Sequence, residues 1–283
     1  MSGAITVMTH GRPEETHGAL LELAAAAAAH GLVLALDREE SAKHGGDGAV
    51  AGLALEVPHA RDVRLCVALG GDGTILRALR AYARTPVPVF AVNFGELGFL
   101  ATVEPERMRE GFERALGGTL EMLTLPAIEL DGAAGPHLGI NDVTIHRKVG
   151  GRVAVIAYEV GGERVGRVRS DGLVVATPAG STGYNLANGG PVMAWGVEGM
   201  AMSFIAPHSL SARALVVAPD DVLVLHNQSR EALALDADGR PVGEVAADER
   251  VEVRFASGVA TLAQMPGSSF YRRLCEKFGL LSA

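Results

Sequence analysis

The chain has 283 residues, enough for one large domain or two of ordinary size with an ample core, and carries a net charge of −8 from 25 basic and 33 acidic residues. No block of Lys and Arg is long enough to suggest a nucleic-acid footprint, and no uninterrupted apolar run reaches membrane-spanning length, so neither nucleic acid nor membrane is expected as a partner. Cys66 and Cys275 lie too far apart in sequence to suggest a disulfide framework, residues 5–9 are too short for a signal-peptide core, and the expectation is a cytoplasmic protein with Cys66 as a buried free thiol.

Residues 4–9 alternate as a first strand, which His10, Gly11, Arg12 and Pro13 turn into a helix over 14–30. That helix has acids near its start, an alanine run from Ala24 to Ala29 and Gly31 as its stop. A second strand spans 32–36. Residues 37–52 are expected to form a mobile surface loop.

The segment that organises the chain follows. Leu65, Cys66, Val67, Ala68 and Leu69 make a short apolar run that reads as a buried strand of a parallel sheet. Gly70 and Gly71 break it, Asp72, Gly73 and Thr74 follow, and Ile75, Leu76, Leu79 and Tyr82 recur at helical spacing. Strand, glycine turn and helix N-terminus together form a geometry in which backbone N–H groups and the helix dipole hold an anion. An acid among phosphate-binding amides repels the ligand unless it holds a metal or accepts a proton, so Asp72 points to phosphoryl transfer. The same four letters occur at Gly45, Gly46, Asp47 and Gly48, but without an apolar strand before them or a helix after them. That copy is read as surface loop.

Residues 85–88 connect to a strand at 89–92, so the order so far implies an open parallel sheet. Ligands bind outside the carboxyl ends of such strands, where the 93–100 loop, from Asn93 through Phe99 to Leu100, must lie. Glu104 and Pro105 open a helix that Gly117 and Gly118 close.

Beyond residue 120 the texture changes to short strands, expected at 120–130, 139–145, 153–160, 163–167, 173–176, 201–205, 215–217, 222–225, 233–235, 251–255 and 259–262. A helix over 269–278 closes the chain, with Phe270, Leu274 and Phe278 on one face. The expected architecture is an α/β domain with an open, mostly parallel sheet over 1–120, onto which 266–283 pack back, and a mostly antiparallel β domain over 121–265.

Within the β-rich part, Ser170, Asp171 and Gly172 precede a strand, and residues 177–185 and 189–191 are dense in Gly, Ser, Thr and Pro. Small residues and hydroxyls this dense can bond a polar ligand at close range, and Tyr184 adds a flat surface for a base or ribose; ordinary loops use the same residues. Asn141 can read an amide or base edge, and Asp142 can accept from a ribose hydroxyl. His208 is readable as a base, a metal ligand or a structural histidine.

Taken together, GGDGT at 70–74, NFGELGFL at 93–100, GINDVTIHR at 139–147, the long box at 170–192 and PHSLSAR at 207–213 closely resemble the NAD kinases. The likeness spans most of the chain beyond residue 60. The GGDG box alone is shared with diacylglycerol kinases, sphingosine kinases and phosphofructokinases. The resemblance implies transfer of the ATP γ-phosphoryl group to the adenosine-ribose 2′-hydroxyl of NAD, with Mg²⁺ or another divalent metal. It implies Asp72 as base, Gly70, Gly71, Gly73 and Thr74 at the ATP phosphates, and it assigns no metal ligand from the protein. It further implies Asp72, Gly73, Asn93, Phe99, Asn141, Asp142, Arg169, Asp171, Thr182, Gly183 and Tyr184 at NAD. Asp171 is similar to a residue that reaches the NAD of a neighbouring subunit, which implies a homodimer or homotetramer. Ala179 stands where Ser or Thr is commoner, removing a hydroxyl contact to the adenine, and Gly183 where Ala is commoner. The α/β part would hold the triphosphate and the metal, and the β-rich part would present the dinucleotide. The alternatives are a lipid kinase of the same superfamily, for which no amphipathic membrane-facing stretch is evident, and a non-catalytic NAD-binding regulator.

Overall fold

The computed structural model describes residues 3–44, 53–54, 62–95, 98–101, 103–132, 135–209 and 211–279. The chain divides into two compact units, Met1–Thr124 with Ala260–Ala283, and Leu125–Val259. No described helix is long and apolar enough to cross a membrane.

In the first unit β1 (Ala4–Thr9), α1 (Pro13–Ala29), β2 (Val33–Ala35), α2 (Arg38–Lys43), β3 (Leu53–Ala54), β4 (Cys66–Gly70), α3 (Asp72–Ala81), β5 (Val89–Asn93) and α4 (Met108–Gly117) follow one another. The strands pair in parallel in the order β3-β2-β1-β4-β5. Strand order reverses between β1 and β4, so a crevice is expected outside Thr9 and Gly70, the carboxyl ends of those two strands. Cys66 and every other residue of β4 are buried, as a strand covered on both faces requires. Leu20 and Leu23 of α1 and Phe112 of α4 pack into one cluster with Ile5, Val67 and Phe90 of the sheet.

The expected loop at 37–52 is corrected over its first part, which is α2. Asp37 accepts from the Glu40 N–H at 2.9 Å, capping a helix whose start carries the local pattern Asp-x-x-Glu. Glu40 itself is buried, accepting from Thr9 Oγ1 at 2.6 Å and from Lys43 and Arg77. The second GGDG copy, 45–48, lies outside the described residues.

β6 (Glu121–Asp131) leads into the second unit, where β7 (His137–Gly139), β8 (Asp142–His146), β9 (Ala154–Val160), β10 (Glu163–Ser170), β11 (Gly172–Ala176), α5 (Tyr184–Ala187), β12 (Met200–Ile205), β13 (Leu215–Val217), β14 (Leu223–Asn227), β15 (Leu233–Ala237), β16 (Arg240–Val245) and β17 (Arg250–Gln264) follow. One antiparallel sheet runs β13-β12-β11-β8-β15-β16, and β10, β9, β14 and the start of β17 form a second antiparallel run. Ile145, Val175 and Met202 of one sheet and Leu223, Leu225 and Val253 of the other share a core. The alternating burial of β14 and β15 marks each as covered on one face.

Three further expectations are corrected. The strand expected at 139–145 is two, because a turn at Ile140 and Asn141 separates β7 from β8. The β15–β16 hairpin was not anticipated beyond 235, although Asp238 (φ 47°) and Gly239 (φ 69°) are the Asp-Gly pair of a two-residue turn with both central φ positive. The strands expected at 251–255 and 259–262 are one strand, because Gly258 takes a left-handed φ of 67° as a local irregularity inside β17 rather than ending it.

The end of β17 pairs in parallel with β5 through Leu262 and Ala263, and α6 (Phe270–Phe278) belongs to the first unit. Its buried residues are Phe270 and Arg273, whereas Leu274 is half-buried and Phe278 is 43% exposed. The expected face stands, with Phe270 and Phe278 both against Phe99, and it also carries the buried Arg273.

Candidate functional site

In the first unit the glycine turn after β4 is held by close backbone packing. A Cβ on Gly95 would sit 2.8 Å from Gly71 Cα, and one on Gly70 would sit 2.5 Å from Thr74 Oγ1. Both positions exclude any side chain. Gly73 is exposed, with open space where a Cβ would be, so the first turn of α3 presents its backbone outward. The Thr74 and Ile75 N–H groups bond the Gly71 carbonyl at 2.9 and 3.2 Å.

Asp72, the first residue of α3, turns its carboxylate onto the 98–101 segment. Oδ1 accepts from the Phe99 and Leu100 N–H groups, both at 3.1 Å, and Oδ2 accepts from the Phe99 N–H at 3.0 Å. A carboxylate offers about four lone-pair positions, so one acceptor position on Oδ2 remains among the described partners. Burial pushes the Asp72 carboxyl up from its ordinary value, against the pull of the two backbone N–H donors and of the Arg273 and Lys277 charges. Arg273 is 7% exposed and donates from Nη1 to the Phe99 carbonyl at 2.5 Å. Burial pulls its guanidinium down to about 10, opposed by Asp72, Glu276 and Glu104.

Two residues expected at NAD take inward positions. The Asn93 side chain is buried; its Nδ2 donates to both Glu104 carboxylate oxygens at 3.3 and 3.0 Å, and its Oδ1 accepts from the Gly95 N–H at 3.1 Å. The Phe99 ring is 8% exposed and packs against Phe270 at 5.6 Å and Phe278 at 6.3 Å. Phe99 meets the site through its N–H.

In the second unit the structure brings Asn141 and Asp142 together with the 177–185 box. The Thr177 N–H donates to the Asn141 carbonyl at 2.8 Å, Thr177 Oγ1 donates to the Ile140 carbonyl at 2.7 Å, and the Gly180 N–H donates to Thr177 Oγ1 at 3.1 Å. Asp142 is 8% exposed, and its carboxyl is pushed up to about 7 by burial first, then by Asp238 and Asp236. Tyr184 opens α5 with its side chain 46% exposed, beside the half-buried Thr182 and the exposed Gly183. Ala179 is 3% exposed. Asn185 is fully buried and donates from Nδ2 to the Ser181 and Pro191 carbonyls at 3.1 and 3.0 Å.

Arg169, Asp171 and His208 lie elsewhere, on a groove of about 830 Å³ that Arg147, Lys148 and Arg230 also line. Asp171 is gripped by Arg147, Nε to Oδ1 at 2.6 Å and Nη2 to Oδ2 at 3.2 Å, which holds its carboxyl below the usual range. β8 pairs Asp142 with Ala176 and His146 with Gly172. Asp142 thus stands at one end of the β8–β11 pair and Asp171, just before β11 and bonded to Arg147, at the other, five residues or about 16 Å apart along β8 at 3.3 Å per residue.

Sequence reasoning missed Arg273, Glu104, Asp236 and Asp238. Asp238 had a readable signal in its Asp-Gly pair, and Arg273 had one in its i,i+3 spacing from Phe270. No local signal pointed to Glu104 as the partner of Asn93.

The family model described as ATP-NAD kinase N-terminal domain matches residues 52–119, and the one described as ATP-NAD kinase C-terminal domain matches 140–265. The NAD kinase of Lachnoclostridium phytofermentans is 34% identical over 232 residues, 77% of this chain and 81% of that protein. The NAD kinase of Gemmatimonas aurantiaca is 33% identical over 220 residues, 75% of this chain and 76% of that protein. A crystal structure of yeast NADH kinase complexed with NADH matches 99% of this chain and 88% of that chain at a TM-score of 0.87 and 22% identity, a likeness of fold alone. The structure of an NAD kinase from Archaeoglobus fulgidus in complex with ATP matches 100% of this chain and 99% of that chain, at a TM-score of 0.72 and 25% identity.

Proposed function

The chain belongs to the ATP-NAD kinase family, and on that premise we propose that it transfers the γ-phosphoryl group of ATP to the 2′-hydroxyl of the adenosine ribose of NAD, forming NADP. The observation that carries this reading is Asp72: a carboxylate at the N-terminus of α3, tied by the Phe99 and Leu100 N–H groups, with an acceptor position left on Oδ2. The ribose hydroxyl hydrogen-bonds to Oδ2 and gives its proton to the Asp72 carboxylate as the 2′-oxygen bonds to the γ-phosphorus. The bond from the γ-phosphorus to the bridging oxygen then breaks, and ADP leaves. A ribose hydroxyl is a poor nucleophile at neutral pH, so the raised carboxyl of Asp72 brings the base closer to the working pH.

Gly70, Gly71, Gly73 and Thr74 at the start of α3 are read as the phosphate cradle, where the positive end of the helix dipole favours negative charge; the Thr74 N–H is spent on the Gly71 carbonyl, so Thr74 would contribute its hydroxyl. Mg²⁺ is typically held by one or two carboxylates plus substrate phosphates; the one acceptor position left on Asp72 goes to the ribose hydroxyl in this reading, so the metal would be held chiefly by the ATP phosphates. When bound it would neutralise charge on the transferring phosphoryl group. Asn141, Asp142, Thr182, Gly183 and Tyr184, gathered at one end of the β8–β11 pair, are read as the NAD-binding face. The distance from Asp142 to Asp171 supports the reading that Asp171 and Arg169 serve NAD held by a neighbouring subunit in a homodimer or homotetramer. The same reading includes a cytoplasmic location.

The test is purified protein with ATP, Mg²⁺ and NAD, followed with an NADP-specific dehydrogenase. Formation of NADP is expected; turnover of diacylglycerol or sphingosine without turnover of NAD sinks the reading. Light scattering at assay concentration is expected to show a dimer or tetramer, and a fully active monomer refutes the shared pocket.

A further inference from the structure

The tip of the β15–β16 hairpin, Asp238 and Gly239, closes onto the turn that carries Asn141 and Asp142. Asp238 Oδ1 accepts from the Asn141 N–H at 2.7 Å and the Asp142 N–H at 3.2 Å, and its Oδ2 accepts from the Ile140 N–H at 3.1 Å. In return the Asp238 N–H donates to the Asp142 carbonyl at 2.9 Å. Three successive N–H groups of one turn thus end on a single carboxylate, which resembles how a nest of amides grips an anion. From the other side Thr177 holds the Asn141 and Ile140 carbonyls, and a Cβ on Gly180 would fall 2.0 Å from the Asn141 oxygen. The backbone of the turn is therefore fixed on both faces, and its amides are spent within the protein. What it leaves to present are side chains. Asn141 Oδ1 is buried with no hydrogen-bond partner among the described residues, a condition that costs free energy until an N–H donor arrives.

A turn that only closed a hairpin would be served as well by Asn, which tolerates positive φ and brings no charge. Here the residue is an acid at φ 47°, beside Asp142, whose ionisation it opposes. Resting on the NAD kinase reading, we infer that Asp238 is the positioning residue of the NAD site, its carboxylate setting the turn that aims the Asn141 and Asp142 side chains at NAD. Asp236, the other acid near Asp142, is hydrogen-bonded to His146 Nε2 at 3.0 Å, whereas the N–H groups of the turn go to Asp238.

The experiment compares Asp238→Gly and Asp238→Asn with wild type by NAD calorimetry and by KM for each substrate. Gly accepts the positive φ and keeps the hairpin, so the carboxylate alone is removed. Asp238→Gly is expected to weaken NAD binding about 10- to 100-fold, the range of a lost charged hydrogen-bond set, with KM for ATP within about twofold. Asp238→Asn is expected to recover part of the NAD affinity, because one amide oxygen can still meet the Asn141 and Asp142 N–H groups. Wild-type NAD affinity in Asp238→Gly, or equal loss for ATP and NAD, overturns the inference. If Asp238→Gly does not fold, Asp238→Asn decides: NAD-selective weakening supports the role and wild-type NAD affinity overturns it. Wild type that forms NADP while the variants bind NAD normally removes this inference alone; wild type that neither binds NAD nor forms NADP removes the functional reading and this inference with it.

Discussion

Replacing Asp72 by Asn leaves the side chain's size unchanged and removes its charge and basicity. The carboxylate now takes three N–H bonds between 3.0 and 3.1 Å, two on Oδ1 and one on Oδ2. An amide oxygen in the Oδ1 place keeps the first two, while the amide nitrogen then faces the Phe99 N–H donor to donor, a local cost of about 1–3 kcal/mol. Loss of a positioned general base costs about 10²- to 10⁴-fold in rate, or about 3–5 kcal/mol at 1.36 kcal/mol per decade. The chemical loss is therefore the larger, and it falls on kcat. Asp72→Asn is expected to collapse kcat in the NADP-coupled assay while NAD binding, followed by calorimetry, largely survives on Asn141, Asp142 and Tyr184. Because burial raises the Asp72 carboxyl, wild-type kcat should also fall as pH drops through that raised value, and the variant should lose this acid limb. Asp47→Asn, in the second copy of the tetrapeptide, should change neither quantity. Wild-type kcat in Asp72→Asn removes Asp72 as the base, and equal losses in the two variants refute the argument from strand and helix context.

Arg273→Met removes a buried cation that favours ionised Asp72, so the acid limb of kcat/KM should move to higher pH; an unchanged limb shows that the arginine does not act on Asp72. Asp142 has its carboxyl raised from 3.8 to about 7, so the folded chain holds this proton more tightly than the unfolded chain, and the associated stability is full below about pH 4 and lost as pH rises through about 7. Asp142→Asn should therefore melt above wild type at pH 8, by at most about 4 kcal/mol at 1.36 kcal/mol per unit, with a smaller advantage at pH 5. Thermal unfolding at both values checks it, and an equal advantage at both counts against the buried-charge account.

Much of the candidate site was open to local reading because its signals are local. An apolar run, two glycines and apolar residues at helical spacing suffice to place β4, the turn and α3, since strand burial, glycine freedom and helix periodicity each act over a few residues. The Asp-x-x-Glu cap of α2 and the Asp-Gly turn at 238–239 are equally local signals, one inside the segment expected as a loop and the other within a string of short strands. Composition placed the change from an α/β to an antiparallel texture near residue 120, and the compact units meet at Thr124 and Leu125 in the chain.

What local sequence could not supply was the environment of each acid. Asp72 is tied by N–H groups 27 and 28 residues away and is faced by an arginine on α6. Asn93 and Phe99, expected at NAD, have side chains that turn inward because Glu104, Phe270 and Phe278 arrive there from other elements. Asp142 differs from an ordinary aspartate because β15 pairs with β8 and its hairpin sets two further carboxylates nearby. The antiparallel register of β8 and β11 puts Asp142 at one end of that pair and Asp171, which just precedes β11, at the other. Burial, charge proximity and backbone donors depend on which strands pair and in what register, and that is settled by the packing of the whole chain rather than by any window of it.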